Sequence, residues 1–181
     1  MAKFEKVSKY ESADIAIPVR KTEGAAGYDL ASAEDCIIPS IWNMVADMTE
    51  FYPIKNDEFL TLDLMAEFTK KSGFKPTLIS TGLKCELDPG TYLALTVRSS
   101  APLKYWLILA NSVGVIDRDY YNNESNEGEI FFQVFNLSPY NLKIQKGEII
   151  GQGIVTPFLT TEDDAATGLR TGGFGSTSEQ K

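Results

Sequence analysis

Residues 88–100 read DPGTYLALTVRSS, and this stretch shows the pattern that decides the fold: a turn, a strand and a polar end. Asp88-Pro89-Gly90 is typical of a tight turn, because proline fixes φ and glycine tolerates the strained position beside it. Tyr92–Val97 is rich in aromatic, leucine and β-branched residues, which indicates a β-strand. The guanidinium, hydroxyls and amides of Arg98-Ser99-Ser100 are donors suited to phosphate oxygens, although a plain turn is the alternative interpretation.

The same alternation of turn signals and short apolar runs continues along most of the chain. The apolar runs are rich in β-branched, leucine or aromatic residues, and their spacing is typical of a sandwich or barrel. The other predicted strands are Thr77–Ser80, Leu107–Ala110, Glu129–Phe135 and Ile149–Val155. The sequence therefore predicts an all-β body.

One segment, residues 41–75, interrupts this rhythm. Within it, Asn56–Lys71 has a helical period, with charged residues on one face and apolar residues on the other. Gly73 is placed to cap the C-terminus of that helix. We therefore predict a short helical insertion inside one β domain, residues 1–158, followed by a flexible C-terminal arm, residues 159–181.

The composition fits one globular domain and removes several classes of function. The chain of 181 residues contains no histidine, so a general base would have to be a carboxylate rather than a histidine of a catalytic triad. A net charge of −8 predicts no stable nucleic-acid binding, because phosphate-binding surfaces need clustered lysine and arginine. The sequence has neither a membrane-spanning apolar run nor an N-terminal signal, so we expect no membrane association and a cytoplasmic location.

Residues 109–120 combine groups suited to a flat ligand. A buried run is predicted to enter a glycine-containing hairpin that could read a base by its edge. Asp117 follows Val115-Ile116 and could line a cavity wall, where it would hold a water as a general base. The alternative is that Asp117 and Asp119 are solvated loop acids.

Two further segments carry polar groups in unusual settings. Asp29 lies in the apolar, glycine-containing stretch of residues 25–30, and a buried acid needs a partner, either metal-bound water or a backbone amide. Gln152 lies between Gly151 and Gly153 in a predicted strand, where a ligand could approach the backbone closely.

The segment after Phe158 has almost no apolar residue until Phe174, so it cannot drive its own collapse. A frayed terminus is one interpretation. The other is an anion-wrapping arm, because residues 170–177 supply one cation, one aromatic ring, three glycines and three hydroxyls.

Taken together and in order, five of these segments resemble the motifs of the trimeric dUTPase family. They are residues 26–30, 98–100, 111–120, 147–152 and 170–176, and the resemblance covers most of the chain outside residues 41–75. It implies a distorted jelly-roll subunit and a homotrimer with three active sites at its interfaces. It also implies hydrolysis of dUTP to dUMP and pyrophosphate with Mg²⁺, which limits uracil in DNA and supplies dUMP for thymidylate synthesis.

The same resemblance implies a role for each motif residue. Asp117 would be the base that deprotonates the attacking water, and Tyr120 would pack under the deoxyribose and leave no room for a 2′-hydroxyl. Asp29 would bind waters of the magnesium ion rather than the ion itself. Uracil would be read by Asn111, Gly114, Val115 and Ile116, and the phosphates would be held by Arg98, Ser99, Ser100 and Gln152. The closing arm would supply Arg170 for the γ-phosphate, Phe174 for stacking on the base, and Gly175 and Ser176 beside them.

The sequence departs from the family pattern at three places. Ser100 replaces the glycine of many members, Arg170 stands unusually close to Phe174, and Tyr121–Glu127 lengthens a connection that is usually short. The insertion at residues 41–75 is similar to those of phage and Gram-positive relatives, some of which bind repressor proteins, so a protein partner for the insertion is a second hypothesis.

A dCTP deaminase, or a bifunctional deaminase and dUTPase, is the nearest alternative, because that family shares the fold and often has Arg-Ser-Ser. Its members carry a glutamate base three residues before an asparagine at a strand end. Here Gln133 holds that place before Asn136, and an amide cannot accept the proton. The sequence therefore favours hydrolysis without deamination.

Overall fold

The computed structural model describes residues 1–51, 61–73, 75–168 and 170. Short antiparallel strands make up most of the regular secondary structure in this part of the chain, so the predicted all-β body is confirmed. The strands are β1 (Lys3–Lys6), β2 (Tyr28–Ala31), β3 (Cys36–Ile38), β4 (Thr77–Ser80), β5 (Leu83–Glu86), β6 (Thr91–Val97), β7 (Leu107–Leu109), β8 (Gly114–Ile116), β9 (Phe131–Asn136), β10 (Leu142–Ile144) and β11 (Ile149–Pro157). The helices are α1 (Ile41–Phe51), α2 (Leu62–Ser72) and α3 (Ser100–Tyr105), with one-turn 3-10 helices at Ser8–Tyr10 and Arg118–Tyr120.

The strands form two larger sheets and two ribbons. One sheet has the order β2-β11-β6-β8 and the other the order β4-β9-β7, while β1 pairs with β5 and β10 with β3. Along β9 every second side chain is buried, because successive residues of a strand point to opposite faces. Phe132 and Val134 of β9 share one core with Leu93 and Leu95 of β6, so the core joins the two larger sheets.

Most predicted strands are confirmed to within two residues, and β4 has the predicted bounds. The predicted start of β9 at Glu129 is wrong, because the ladder begins only at Phe131. The backbone amides of Glu129 and Ile130 bond to Asn126 and Leu83 instead, and the Glu129 carboxylate accepts a hydrogen bond from Ser80. These bonds keep Glu129 and Ile130 out of the ladder that β9 forms with β4 and β7.

The predicted helix in the insertion is confirmed from Leu62 onward, whereas Thr61 is extended and residues 56–60 lie outside the described residues. Thr61 begins α2 by accepting a hydrogen bond from the amide of Leu64 at 3.3 Å. Gly73 ends it in the left-handed conformation at φ 70°, as the sequence predicts. Leu62 and Leu64 are nevertheless exposed, so α2 does not bury an apolar face against the rest of the described chain.

The predicted hairpin of residues 109–120 is wrong in its pairing. β7 pairs with β9 in one sheet, whereas β8 pairs with β6 in the other. Residues 110–113 therefore carry the chain between two sheets, and Ser112 at φ 60° makes the reversal. Because each strand has its hydrogen-bonding partner in its own sheet, the space between β8 and β9 stays open.

Candidate active site

A cavity lies between the end of β8 and the face of β9. One wall contains four residues that the sequence assigned to uracil: Asn111, Gly114, Val115 and Ile116. Tyr120 and Arg170 also line this cavity, which we call the nucleoside cavity. The structure thus brings together most of the residues that the third motif was expected to contribute.

Tyr120 is held firmly in the nucleoside cavity. Only 5% of the residue is exposed, and its hydroxyl donates to the Glu129 carbonyl at 3.1 Å and accepts from Asn126 Nδ2 at 2.7 Å. Burial raises the pKa of Tyr120, so the side chain is a neutral phenol at pH 7. Its ring is therefore a fixed apolar surface.

Asp117 lies at the mouth of this cavity rather than in its wall. Its side chain is 52% exposed, so the expectation that it avoids solvent is wrong for the single chain. The reason is its position directly after β8, which is the edge strand of the four-stranded sheet in the described part of the chain. A partner surface would be needed to cover the carboxylate.

Arg170 belongs to the C-terminal arm, and its side chain lines the nucleoside cavity. Its Nη1 donates to Asp117 Oδ2 at 2.7 Å and to Asp119 Oδ1 at 3.1 Å. The guanidinium carbon also lies 5.3 Å from the centroid of the Tyr120 ring, which is a cation–π distance. Arg170 thus forms an ion pair with the carboxylate that was predicted to act as the base.

A second polar cluster forms where β2, β11 and β6 run side by side. Gln152 of β11 lies opposite both Asp29 and Thr96, and its Nε2 donates to Thr96 Oγ1 at 3.3 Å. Arg98 Nε lies 3.6 Å from Asp29 Oδ1, and the Asp29 side chain is only 16% exposed. The partner that the sequence required for Asp29 is therefore Arg98 in this structure.

Arg98 and Ser100 open into a separate cavity, which we call the phosphate cavity. Gly147–Ile150 and Lys143 form much of its other side. Ser99 precedes α3 and makes no capping hydrogen bond with its side chain. The two cavities share no lining residue, so one chain does not bring Asp117 and Tyr120 together with Arg98 and Ser100.

Three wall residues in or just before β9 were not expected from the sequence. Glu129, Phe131 and Gln133 line the nucleoside cavity opposite residues 114–116. The alternation of β9 could have identified Phe131 and Gln133, because they share the face opposite the core. The predicted site residues Phe174, Gly175 and Ser176 lie outside the described residues.

The described part of the chain contains no cluster of three or more metal-ligating side chains of the His, Cys, Asp or Glu types. It also contains no helix long and apolar enough to cross a membrane.

Comparisons of the sequence and the fold with known proteins all point to one family. The sequence model of the dUTPase family matches residues 47–178. A deoxyuridine 5′-triphosphate nucleotidohydrolase of Lactococcus lactis subsp. lactis is 41% identical over 178 residues, which is 96% of this chain and 95% of that protein. The crystal structure of dUTPase from Streptococcus mutans has 34% identity and a TM-score of 0.66, covering 88% of this chain and 98% of that one.

The fold similarity also extends to a phage protein. A mutant dUTPase from phage phi11 of S. aureus has a TM-score of 0.59 at 16% identity, covering 93% of this chain and 97% of that one. Its structure is described as showing how a structural Mg(II) ion is coordinated. The expected jelly-roll fold of the dUTPase type is therefore confirmed.

Proposed function

The chain belongs to the dUTPase family and hydrolyses dUTP to dUMP and pyrophosphate, and from this premise we propose that its active sites are shared between the subunits of a homotrimer. The observation that carries the proposal is the separation of two complementary cavities on one chain. The nucleoside cavity of one subunit would meet the phosphate cavity of another. Such an arrangement would also cover the exposed carboxylate of Asp117.

In the nucleoside cavity, Tyr120 and the segment of residues 111–116 position the deoxyuridine. Asn111 and the backbone around Val115 and Ile116 bind the uracil edge. The fixed Tyr120 ring lies under the sugar, and its packing leaves no room for a 2′-hydroxyl. Both interactions select the substrate before any bond breaks.

Asp117 is the proposed general base. Its carboxylate accepts the proton of a water molecule that attacks the α-phosphorus of dUTP, and the bond between the α-phosphorus and the bridging oxygen breaks to release pyrophosphate. The same carboxylate accepts a hydrogen bond from Arg170, so the proposed base and the proposed γ-phosphate ligand lie side by side.

The phosphate cavity supplies positive charge that would bind the negatively charged triphosphate. We assign Arg98, Ser99, Ser100 and Gln152 to the phosphate oxygens. The charge of these oxygens would be further neutralised by substrate-bound Mg²⁺, a hard cation that commonly keeps several waters. The residues fit such an ion, because Asp29 is a single, mostly buried carboxylate beside Arg98, which suits contact through water rather than direct ligation.

The C-terminal arm, residues 159–181, would then close over the site. Residues 159–168 form no strand or helix, and Leu159 is 97% exposed, so the arm's first part does not pack in the core. Closure would place Arg170 at the γ-phosphate and Phe174 on the base, with Gly175 and Ser176 following. A closed arm would exclude bulk water from the site while the one attacking water stays bound beside Asp117.

The base assignment is tested by pyrophosphate release from dUTP, dCTP, dTTP and UTP. We expect wild type to hydrolyse dUTP in preference to the others, and Asp117→Asn to lose about a hundredfold or more of kcat, because an amide cannot accept the proton. Asp119→Asn is the matched control, since Asp119 is similarly exposed and also binds Arg170. Equal losses in the two variants would show that only the charge around Arg170 matters.

Two alternatives predict other results. A deaminase would release ammonia from dCTP, which the amide of Gln133 in the nucleoside cavity does not favour. A protein partner at residues 41–75 is supported by the exposure of Trp42 and Leu62 in α1 and α2, and it is compatible with hydrolysis. Deleting the insertion would abolish such binding while dUTP turnover continued.

A further inference from the structure

The connection that lengthens the third motif folds back onto the site. We call residues 121–128, between the 3-10 helix and β9, the asparagine loop, because it carries Asn122, Asn123 and Asn126. Asn123 and Gly128 are buried, and the loop bonds to Tyr120 instead of projecting into solvent. The loop is therefore part of the structure around the sugar-binding ring.

Asn123 organises the interior of this loop. Its Oδ1 accepts from the amides of Ser125 and Asn126 at 3.0 and 3.2 Å, and from the Ser125 hydroxyl at 2.6 Å. Its Nδ2 donates to the Tyr120 carbonyl at 2.9 Å and to Asn126 Oδ1 at 2.7 Å. One side chain thus fixes both the backbone of Tyr120 and the position of Asn126.

The orientation of Asn126 follows from these bonds. Its Oδ1 already accepts from Asn123 Nδ2 and from the amide of Gly128 at 3.1 Å, so its Nδ2 points the other way. There it donates to the Tyr120 hydroxyl at 2.7 Å, while that hydroxyl donates to the Glu129 carbonyl. The buried phenol therefore has both of its hydrogen-bonding capacities satisfied.

The loop is closed against Tyr120 and anchored at its far end. Gly128 has φ 81°, and a Cβ there would lie 2.5 Å from the Tyr120 carbonyl oxygen, so only glycine permits this approach. The Glu127 carboxylate accepts from the amide and hydroxyl of Ser8 and lies 3.4 Å from Lys84 Nζ. These contacts give Asn126 a fixed frame.

We propose that Asn126 is a positioning residue that makes the enzyme discriminate dUTP from UTP by holding the Tyr120 hydroxyl. The inference rests on the proposed function, in which the Tyr120 ring packs under the deoxyribose. A ring excludes one extra hydroxyl only if it cannot shift, and hydrogen bonds at its far end resist that shift. Without the bond from Asn126, the ring can yield to a 2′-hydroxyl.

The test is a double-mutant cycle on substrate preference. We measure kcat/KM for dUTP and for UTP in wild type, Asn126→Ala, Tyr120→Phe and the double variant, with Tm for each. We expect Asn126→Ala and Tyr120→Phe each to lower the ratio of the two kcat/KM values about three- to tenfold or more. Asn126→Ala removes one hydrogen bond to the Tyr120 hydroxyl, and Tyr120→Phe removes that bond together with the bond to the Glu129 carbonyl. In the Tyr120→Phe background, Asn126→Ala should change that ratio less than about twofold, because the hydroxyl through which Asn126 acts is already absent. Glu124→Ala, at an exposed position of the same loop, is the matched control and should leave the ratio unchanged.

Each other outcome contradicts the inference. An unchanged ratio in Asn126→Ala, or an equal loss with and without the Tyr120 hydroxyl, would show that Asn126 does not act through Tyr120. Should Asn126→Ala fail to fold, Tyr120→Phe alone decides, and an unchanged ratio there overturns the inference. Tyr120→Ala separates the two claims: if it leaves the preference for dUTP intact, the proposed sugar-binding role of Tyr120 is wrong as well.

Discussion

Single residues at the proposed site act through more than one contact. Arg98 pairs with Asp29 through Nε and also lines the phosphate cavity, so one guanidinium connects the first and second motifs. Its planar fork can bind a carboxylate and a phosphate at once, which a lysine ammonium cannot do with the same geometry. Residues 98–100 at the end of β6 could also be an ordinary turn by sequence, but these contacts of Arg98 support a specific role in phosphate binding.

Arg98→Lys should therefore raise the KM for dUTP even though the charge is kept. We expect kcat/KM to fall about tenfold or more, the effect of losing a hydrogen bond to a charged group. Steady-state pyrophosphate release measures it. Arg20→Lys makes the same chemical change on an exposed loop where the guanidinium bonds to the Glu23 and Ala25 carbonyls, and it should stay within about twofold of wild type. A similar loss in both variants would contradict the role of Arg98.

At the level of elements, the sequence predicted best what is locally encoded. The C-terminal end of α2 follows from Gly73, and β6 follows from the turn before it and its apolar run. The partners of β7 and β8 could not be predicted, because pairing across sheets depends on distant strands. The asparagine loop was visible only as extra length, since its hydrogen bonds to Tyr120 depend on the surrounding fold.

The anchoring of the asparagine loop predicts a pH dependence. Hydrogen bonds from the Ser8 amide lower the pKa of Glu127 below its ordinary value of 4.5. A lowered folded pKa stabilises the fold above the ordinary value, and this stabilisation is lost as the pH falls through the folded pKa. Glu127→Gln should thus lower Tm at pH 7 and approach wild type in acid. Circular dichroism measures Tm, Glu124→Gln is the control, and a pH-independent difference would contradict the role of the charge.

At the level of the whole molecule, the two cavities are the central observation. The nucleoside cavity carries the base-reading segment and Tyr120, whereas the phosphate cavity carries Arg98 and Ser100. The predicted motif residues that line these cavities fall into two separate groups on one chain. The order of the motifs along the sequence could not show this division into two cavities, because it depends on how the strands are arranged in the sheets.

The most direct test of a shared site is complementation between two inactive variants. Asp117→Asn and Arg98→Ala chains would each be assembled alone and also refolded together in equal amounts, and dUTP turnover would be measured for all three samples. Our account predicts that the mixture recovers about a quarter of wild-type activity, because random trimers of two chains place both intact residues at about a quarter of the interfaces. A mixture no more active than the two variants separately would show that Asp117 and Arg98 serve the same chain's site, and would contradict the account.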